Sequence, residues 1–221
     1  MDRIDLNCDL GESFGAYRIG LDEEVVPHVT SVNIACGWHA GDPLVMEKTV
    51  AMAKQHHVAV RAPPGFPDLL CFGRREIKAS PDEVYAYVKY QLGALYAFAH
   101  SQGLEVQHMK AHGSLYNMAG KDIRLAEAMC RACRDFDSQL IILALAGSQM
   151  EQAAKEMGVP CAREFFADRA YAPDGSLAPR SQPGAVIHDT QMALDRVVRM
   201  IKEGKVQATN GEDIPVQCDS I

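Results

Sequence analysis

Hydrophobic and polar positions along the chain follow two patterns in turn, one typical of buried strands and one typical of helices. Short, mostly apolar runs such as 141–145 are typical of buried parallel strands. Between these runs, apolar residues recur at helical spacing, as Val84, Val88 and Leu92 do. The pattern predicts strands at 2–8, 30–36, 57–62, 105–110, 139–145, 160–166 and 184–188, with a closing hairpin of 205–209 and 213–218. It predicts helices at 43–56, 81–101, 122–134, 148–157 and 190–203.

Local start signals support three of these helices. Ser80 and Glu83 have the spacing of a capping box. Asp42 suits the N-cap position because Pro43 follows it at the first helical position, where a missing N–H costs nothing. Asp189 can cap the last predicted helix in the same way.

The alternation of strand and helix predicts parallel strands joined by crossover helices. We expect an α/β fold, with an incomplete (β/α) barrel as the first choice and an open doubly wound sheet as the alternative. A chain of 221 residues suits one such unit, and no linker or internal repeat divides it. We therefore expect a single domain over 1–221.

Composition excludes several classes of protein. The net charge is −7 and no basic run occurs, which argues against nucleic-acid binding. No apolar run approaches the length of a membrane span, and the first residues lack the apolar core of a signal peptide, so we expect a cytoplasmic protein. The seven cysteines form no framework. Cys130 and Cys133 lie within a predicted helix, where we expect them to be buried rather than to bind zinc.

Chemically reactive side chains follow four of the predicted strands. The carboxyl ends of parallel strands meet on one face of a barrel, where ligands bind. These four segments are therefore expected to form one site, although each alone could be an ordinary loop. They are 7–12 (NCDLGE), 36–42 (CGWHAGD), 110–117 (KAHGSLYN) and 164–171 (EFFADRAY).

Carboxylates and imidazoles in these segments allow two kinds of chemistry. Asp9, Glu12, His39 and His112 include the ligand types that hold a divalent metal, with one carboxylate and one or two imidazoles. The same groups suit general acid–base catalysis without a metal. Asp42 is explained by its capping role alone.

Basic residues in the later segments predict anion binding. Lys110 ends a mostly apolar strand, so its ammonium group could be desolvated and stabilise an oxyanion, or it could extend to water. Asp168, Arg169 and Arg180 could hold a carboxylate substrate, or they could form ordinary salt bridges.

Two segments rich in proline and glycine, 62–75 and 167–184, are long enough to be functional loops or lids. Gly113, Gly120 and Lys121 have a superficial likeness to a phosphate loop, but six residues separate the glycines and an aspartate follows the lysine. A P-loop has four residues there and Ser or Thr after the lysine, so we do not expect the chain to bind a nucleotide by itself.

Several longer motifs carry a resemblance to a known family. They run in order through nearly the whole chain, at 7–12, 33–43, 64–68, 72–75, 110–117, 164–171 and 182–188. Together they resemble the LamB/YcsF family. The resemblance implies a barrel of about seven strands, of the glycoside hydrolase/deacetylase type.

The resemblance also implies an activity, which is the ATP-dependent opening of 5-oxoproline (pyroglutamate), or a related lactam, to glutamate. In that case the chain would act with partner subunits B and C, and ATP would be handled by those partners. A divalent metal and a homo-oligomer are both compatible with it. Two alternatives stay open: a stand-alone metal-dependent deacetylase or amidase, and a catalytically weak structural subunit.

The resemblance assigns roles to residues of the matching motifs. The expected catalytic residues are Asp9 and Glu12 as base or metal ligand, His39 as ligand or acid–base group, and Lys110 and His112 as stabilisers of charge. Asp9 and His39 are the expected metal ligands. The expected substrate-binding residues are Asn7, Asn33, Tyr116, Asn117, Asp168 and Arg169.

Three positions depart from the family pattern. Pro63 stands where the family has a histidine that could complete a metal site, and Ala111 replaces a proline between Lys110 and His112. The chain reads Cys-Asp-Ser-Ile at 218–221, where family members continue through Cys-Val-His-Gly-Asp and a further helix. We therefore expect a barrel that is incomplete at its C-terminal end and exposes apolar surface there.

Overall fold

Six short parallel strands form the centre of the protein. We describe it from a computed structural model, which covers residues 4–221; the start of the predicted strand 2–8 lies outside these residues. The strands are hydrogen-bonded to one another in chain order. They are β1 (Asn7–Leu10), β2 (Ser31–Ile34), β3 (Ala59–Ala62), β4 (Val106–Met109), β5 (Ile141–Leu145) and β6 (Cys161–Glu164).

Helices connect successive strands, and an antiparallel hairpin follows the last helix. The helices are α1 (Asp22–Val25), α2 (Pro43–Gln55), α3 (Pro81–Ser101), α4 (Gly113–Ala119), α5 (Ile123–Phe136), α6 (Gln149–Met157) and α7 (Thr190–Glu203). The hairpin consists of β7 (Lys205–Gln207) and β8 (Asp213–Pro215). All five predicted helices and the hairpin are confirmed. The short helices α1 and α4 are not predicted because so few residues show no periodicity.

The last residues of the chain lie between β6 and β1 and take the seventh position around the barrel. Asn7 N donates to Ile221 O at 2.7 Å, and on the other side Phe165 N donates to Ser220 O at 2.9 Å. Ser220 forms parallel bridges to both Asp5 and Glu164. The predicted incomplete barrel is therefore confirmed in this sense: six strands are regular, and residues 219–221 close the gap between β6 and β1 without forming a regular seventh strand.

The predicted strand at 184–188 is wrong. Val186 makes one isolated antiparallel bridge to Arg169, and Ile187 N donates to the Asp168 carbonyl at 2.8 Å. This segment pairs with the loop that follows β6 instead of joining the parallel sheet, because the edge of β6 is already occupied by 219–221.

The helix caps form as their sequences indicate. The Asp42 carboxylate accepts from the backbone N–H groups of Leu44 and Val45, and Pro43 starts α2. Ser80 and Glu83 make the reciprocal capping box at the start of α3. These caps fix where α2 and α3 begin, and so fix the loops that lead into them from β2 and β3.

The two faces of the sheet differ in polarity. Val32, Ile34 and Val60 pack outward into an apolar core with the helices, in which Cys130 and Cys133 are buried free thiols as expected. The alternate positions, such as Asn33 and Arg61, are buried but polar. Arg61 of β3 reaches Asp5, which precedes β1, so these alternate positions point into the barrel. The lumen is therefore a polar column that leads to the carboxyl ends of the strands.

No helix among residues 4–221 combines the length and the apolar character needed to cross a membrane.

We predict that Ser220→Ala lowers the free energy of unfolding by about 1–3 kcal/mol, because two polar partners inside the barrel lose their hydrogen bonds. Ser220 is 1% exposed; its hydroxyl donates to the Asp5 carboxylate and accepts from Asn7 Nδ2 at 3.0 Å. Urea unfolding measures the effect. Ser101→Ala is the matched control, since that exposed hydroxyl bonds only to its own helix, and it should change stability by less than about 0.5 kcal/mol. Equal stabilities would contradict a closed barrel.

Candidate active site

A cavity of about 750 Å³ opens at the carboxyl ends of the strands. Of the residues expected at the site, the following line it: Asp9, Glu12, Lys110, His112, Tyr116, Asn117 and Arg169. Asn7, Asn33 and His39 support this lining from behind through the contacts described below. Asp168 is exposed and does not line the cavity.

Asp9 is held in place by two asparagines of neighbouring strands. The Asn33 side-chain amide donates to Asp9 Oδ1 and to Asn7 Oδ1, both at 2.8 Å. The second carboxylate oxygen, Oδ2, lies 3.9 Å from His112 Nδ1. Burial raises the pKa of Asp9, but the charge of Lys110 and the Asn33 hydrogen bond outweigh it, so the pKa lies below its ordinary value. Asp9 is therefore an ionised, oriented carboxylate.

Lys110 is paired inside the barrel with Glu164, which lies in the expected site segment 164–171 but has no predicted role. Lys110 Nζ lies 2.6 Å from Glu164 Oε1 and 3.3 Å from Asn7 Oδ1. Burial lowers the pKa of Lys110, but the charges of Glu164 and Asp9 raise it by more than burial lowers it. The pKa of Lys110 therefore lies above its ordinary value. Lys110 is therefore a charged ammonium at the bottom of the cavity. Nothing local to Glu164 reveals this pairing, which spans the barrel.

Tyr116 and Asn117 extend this network along α4. The Tyr116 hydroxyl donates to Glu164 Oε2 at 3.1 Å, and burial together with the Glu164 charge raises its pKa well above the ordinary value. Tyr116 is therefore a neutral hydrogen-bond donor. Asn117 Nδ2 donates to the Gly113 carbonyl at 3.3 Å, and its side chain faces the cavity.

His39 and His112 stack on one another at the wall of the cavity. Their ring centroids are 3.6 Å apart and their planes are within 5° of parallel. His112 Nε2 lies 3.1 Å from the Phe72 carbonyl, which can only accept, so Nε2 carries the proton and Nδ1 faces Asp9 with a lone pair. Burial lowers the pKa of both rings, that of His39 to about 3. Both imidazoles are therefore neutral.

Glycines allow this histidine pair to be enclosed. A Cβ at Gly73 would lie 2.9 Å from His39 Cβ and 3.1 Å from His112 Cδ2, and Gly73 has a φ of +67°. Gly65 covers the pair from another side, where an added Cβ would lie 3.3 Å from His39 Nδ1. The predicted functional loop 62–75 thus packs directly against the site.

Glu12 has the opposite electrostatic environment to Asp9. Burial, Asp9 and Asp22 together raise the pKa of Glu12 to about 8. Its Oε1 atom is buried without a hydrogen-bond partner among the described residues. The cavity therefore contains a protonated carboxyl beside an ionised one, which is the arrangement of a general acid and a general base.

Comparison with known proteins identifies the family of the chain and agrees with its fold. The LamB/YcsF family model matches residues 4–221. The chain belongs to the LamB/YcsF family. It is 57% identical to the 5-oxoprolinase A subunit of Clostridium beijerinckii over 100% of this chain and 87% of that protein. It is 55% identical to the 5-oxoprolinase A subunit of Pyrococcus furiosus over 99% and 86% of the two chains.

A solved structure of the same family supports the architecture. The crystal structure of a lactam utilization protein from Thermus thermophilus has a TM-score of 0.94 and 47% sequence identity to this chain. The match covers 99% of this chain and 88% of that one. The resemblance read from the motifs is thus confirmed.

The donor set of this LamB/YcsF protein suits a divalent metal by residue type. Glu12, His39 and His112 each offer a ligand atom within 4.8 Å of the others, and both His39 nitrogens are buried without partners in the described chain. The ring planes are parallel, however, so their in-plane lone pairs do not converge on one point. As the rings stand, Glu12 and one imidazole fit an ion better than both imidazoles do. The use of Asp9 and His39 as metal ligands stays a prediction.

Arg169 lines the cavity but uses its donors on the backbone. Its Nη2 donates to the Ala178 carbonyl at 2.6 Å and its Nε donates to the Ala185 carbonyl at 3.3 Å. Arg169 therefore holds the segment 178–185 over the cavity. A direct contact of Asp168 or Arg169 with substrate stays a prediction.

We predict that Gly73→Ala destabilises this family member by roughly 2–4 kcal/mol, because backbone strain at positive φ adds to a clash with the histidine pair. Gly175→Ala is the matched control. Gly175 has a φ of +84°, but a Cβ placed there would meet no atom within 4 Å, so strain alone should cost about 1–2 kcal/mol. Thermal or urea unfolding compares the two variants. Equal losses would contradict the close packing of Gly73 on His39.

Proposed function

We propose that this protein is the hydrolytic subunit of a 5-oxoprolinase, which opens 5-oxoproline to glutamate together with partner subunits that use ATP. The names of its relatives support the reaction and the existence of partners. The observation that carries the proposal is the pair of carboxyl groups in opposite protonation states, Asp9 and Glu12, beside the charged Lys110.

The chemistry of the substrate explains why ATP would be needed. An unstrained five-membered lactam is a poor electrophile, and its hydrolysis needs coupling to a favourable reaction. Transfer of a phosphoryl group to the lactam oxygen makes the ring carbon open to attack. The sequence contains no P-loop, so this activation is assigned to the partners B and C.

The roles of the side chains follow from their charges. Asp9 accepts a proton from a water molecule while the water oxygen bonds to the ring carbon. Glu12 gives a proton to the ring nitrogen. Lys110 stabilises the negative charge of the phosphoryl group carried by the tetrahedral intermediate. Collapse breaks the C–N bond, and the hydroxyl proton passes to the amine. The acyl phosphate that results is cleaved by a second water to glutamate and phosphate.

The neutral histidines support this machinery. His112 presents its Nδ1 lone pair to Asp9 at 3.9 Å, and so can share a proton with that carboxyl through a small movement. His39 excludes water from the other face of the His112 ring by stacking on it. A neutral pair avoids an extra positive charge that would compete with Lys110 for Asp9.

Reconstitution tests the proposal. We expect the chain, candidate B and C subunits, ATP and 5-oxoproline to release glutamate only when all are present. Asp9→Asn and Glu12→Gln should each lower kcat by about 100-fold or more at unchanged folding, because each removes a proton-transfer group. Asp195→Asn, an exposed carboxylate on α7, is the control and should keep full activity. Full activity of Asp9→Asn, or an inactive complete mixture, would contradict the proposal.

A second candidate is a stand-alone metal-dependent amidase or deacetylase, and the cluster of Glu12, His39 and His112 favours it. A bound ion would supply a Lewis acid and an activated water at that cluster. The same assay separates the two candidates. Release of product from a small amide by the chain with Zn²⁺ or Mn²⁺ alone, abolished by a chelator, would favour the second one.

A further inference from the structure

Two arginines reach the active-site cavity without a carboxylate partner. Arg74 and Arg180 both line the cavity, and within residues 4–221 neither forms an ion pair. Their neighbour Arg75 differs, because it is paired with the buried carboxylate of Asp68. Arg74 and Arg180 are both exposed, and within the same residues Arg134 on α5 is unpaired as well, so it is the shared position of the first two in the cavity that distinguishes them.

The loop that carries Arg74 is fixed to the catalytic residues. His112 Nε2 donates to the Phe72 carbonyl at 3.1 Å, and the Ser114 backbone N–H donates to the Gly73 carbonyl at 2.9 Å. The Arg74 guanidinium lies over the Phe72 ring, 5.2 Å from its centroid. Stacking on an aromatic face orients a guanidinium and leaves its N–H groups free at the edge. Arg74 therefore has a defined position at the cavity wall.

The loop that carries Arg180 is fixed from inside the cavity. The two Arg169 hydrogen bonds to the Ala178 and Ala185 carbonyls lie on either side of Arg180 in the chain. Burial and the neighbouring charge of Arg74 lower the pKa of Arg180. The two guanidinium groups are thus close enough for their charges to repel each other, while the carboxylates of Asp168 and Asp9 raise the pKa of Arg180 in opposition without forming an ion pair with it.

The cavity is positive although the protein is negative. Among the residues described, five cationic side chains and three carboxyl groups line it, and one of those carboxyls, Glu12, has a pKa of about 8. The chain as a whole has a net charge of −7. A cavity of opposite sign to its surroundings attracts anions and raises their local concentration.

We propose that Arg74 and Arg180 form a subsite for an oxyanion carried by the substrate. The planar fork of donors on each guanidinium matches the oxygens of a carboxylate or a phosphoryl group. 5-Oxoproline offers a carboxylate, and its activated form would add a phosphoryl group; in this respect the inference rests on the proposed function. The subsite would place the ring carbon of the lactam towards Asp9 and Lys110.

Calorimetric titration of the purified chain tests the subsite with three probes. These are inorganic phosphate, 5-oxoproline, and 2-pyrrolidinone as a lactam without an anion. The variants are Arg74→Gln, Arg180→Gln and the double variant, with Arg134→Gln as a control that removes the same charge from an exposed position on α5. We expect each cavity variant to weaken anion binding about tenfold or more, and the control to leave it unchanged.

The pattern across probes identifies the anion. Loss confined to phosphate assigns the subsite to a phosphoryl group, and loss confined to 5-oxoproline assigns it to the carboxylate; binding of 2-pyrrolidinone should be the same in all variants. The proposal is overturned if the wild type binds neither anion, if the double variant binds both anions normally, or if the binding of 2-pyrrolidinone weakens as much as that of the anions. Arginine-dependent anion binding without glutamate release by the complex would remove the proposed function and keep the subsite.

Discussion

The buried ion pair between Lys110 and Glu164 is the contact on which the rest of the site depends. It joins the end of β4 to the end of β6 across the barrel, and Asn7 of β1 bonds to both partners. Removal of one member of such a pair costs about 3–5 kcal/mol, because the other charge is left buried and unpaired. The pair also fixes a positive charge near Asp9, which keeps that carboxyl ionised, and burial together with the charge of Asp9 raises the pKa of Glu12.

This ion pair requires the barrel to be closed around it. The residues 219–221 supply the closure, since Ser220 and Ile221 bond to Asn7 and bring β1 beside β6. Below them, Arg61 pairs with Asp5 at 2.6 Å while being 1% exposed, so the lumen stays polar along its length. A polar lumen is costly to bury, and the pairs Arg61–Asp5 and Lys110–Glu164 together with the Asn7 hydrogen bonds offset part of that cost here. The fold thus concentrates charge where the proposed reaction takes place.

Local signals account for what the sequence predicts well. The five predicted helices and their caps depend on residues within one turn, such as Ser80 with Glu83, and the four reactive loops follow from strand ends. Features that depend on distant partners are not accessible in this way. Three such features depend on tertiary contacts. They are the pairing of Glu164 with Lys110, the closure by 219–221, and the hydrogen bonds by which Arg169 holds its own loop. The wrong strand at 184–188 has the same origin, because its apolar pattern could not show that the edge of β6 was occupied.

The pKa of Lys110 tests the central claim most directly. Nitrogen-detected NMR of the lysine ammonium groups, with Lys110→Arg to assign the signal, would follow its titration in the wild type and in Glu164→Gln. We predict a Lys110 pKa above the ordinary lysine value in the wild type and below that value in the variant, because the charge of Glu164 then no longer offsets burial. A Lys110 pKa that does not respond to the loss of Glu164 would contradict it.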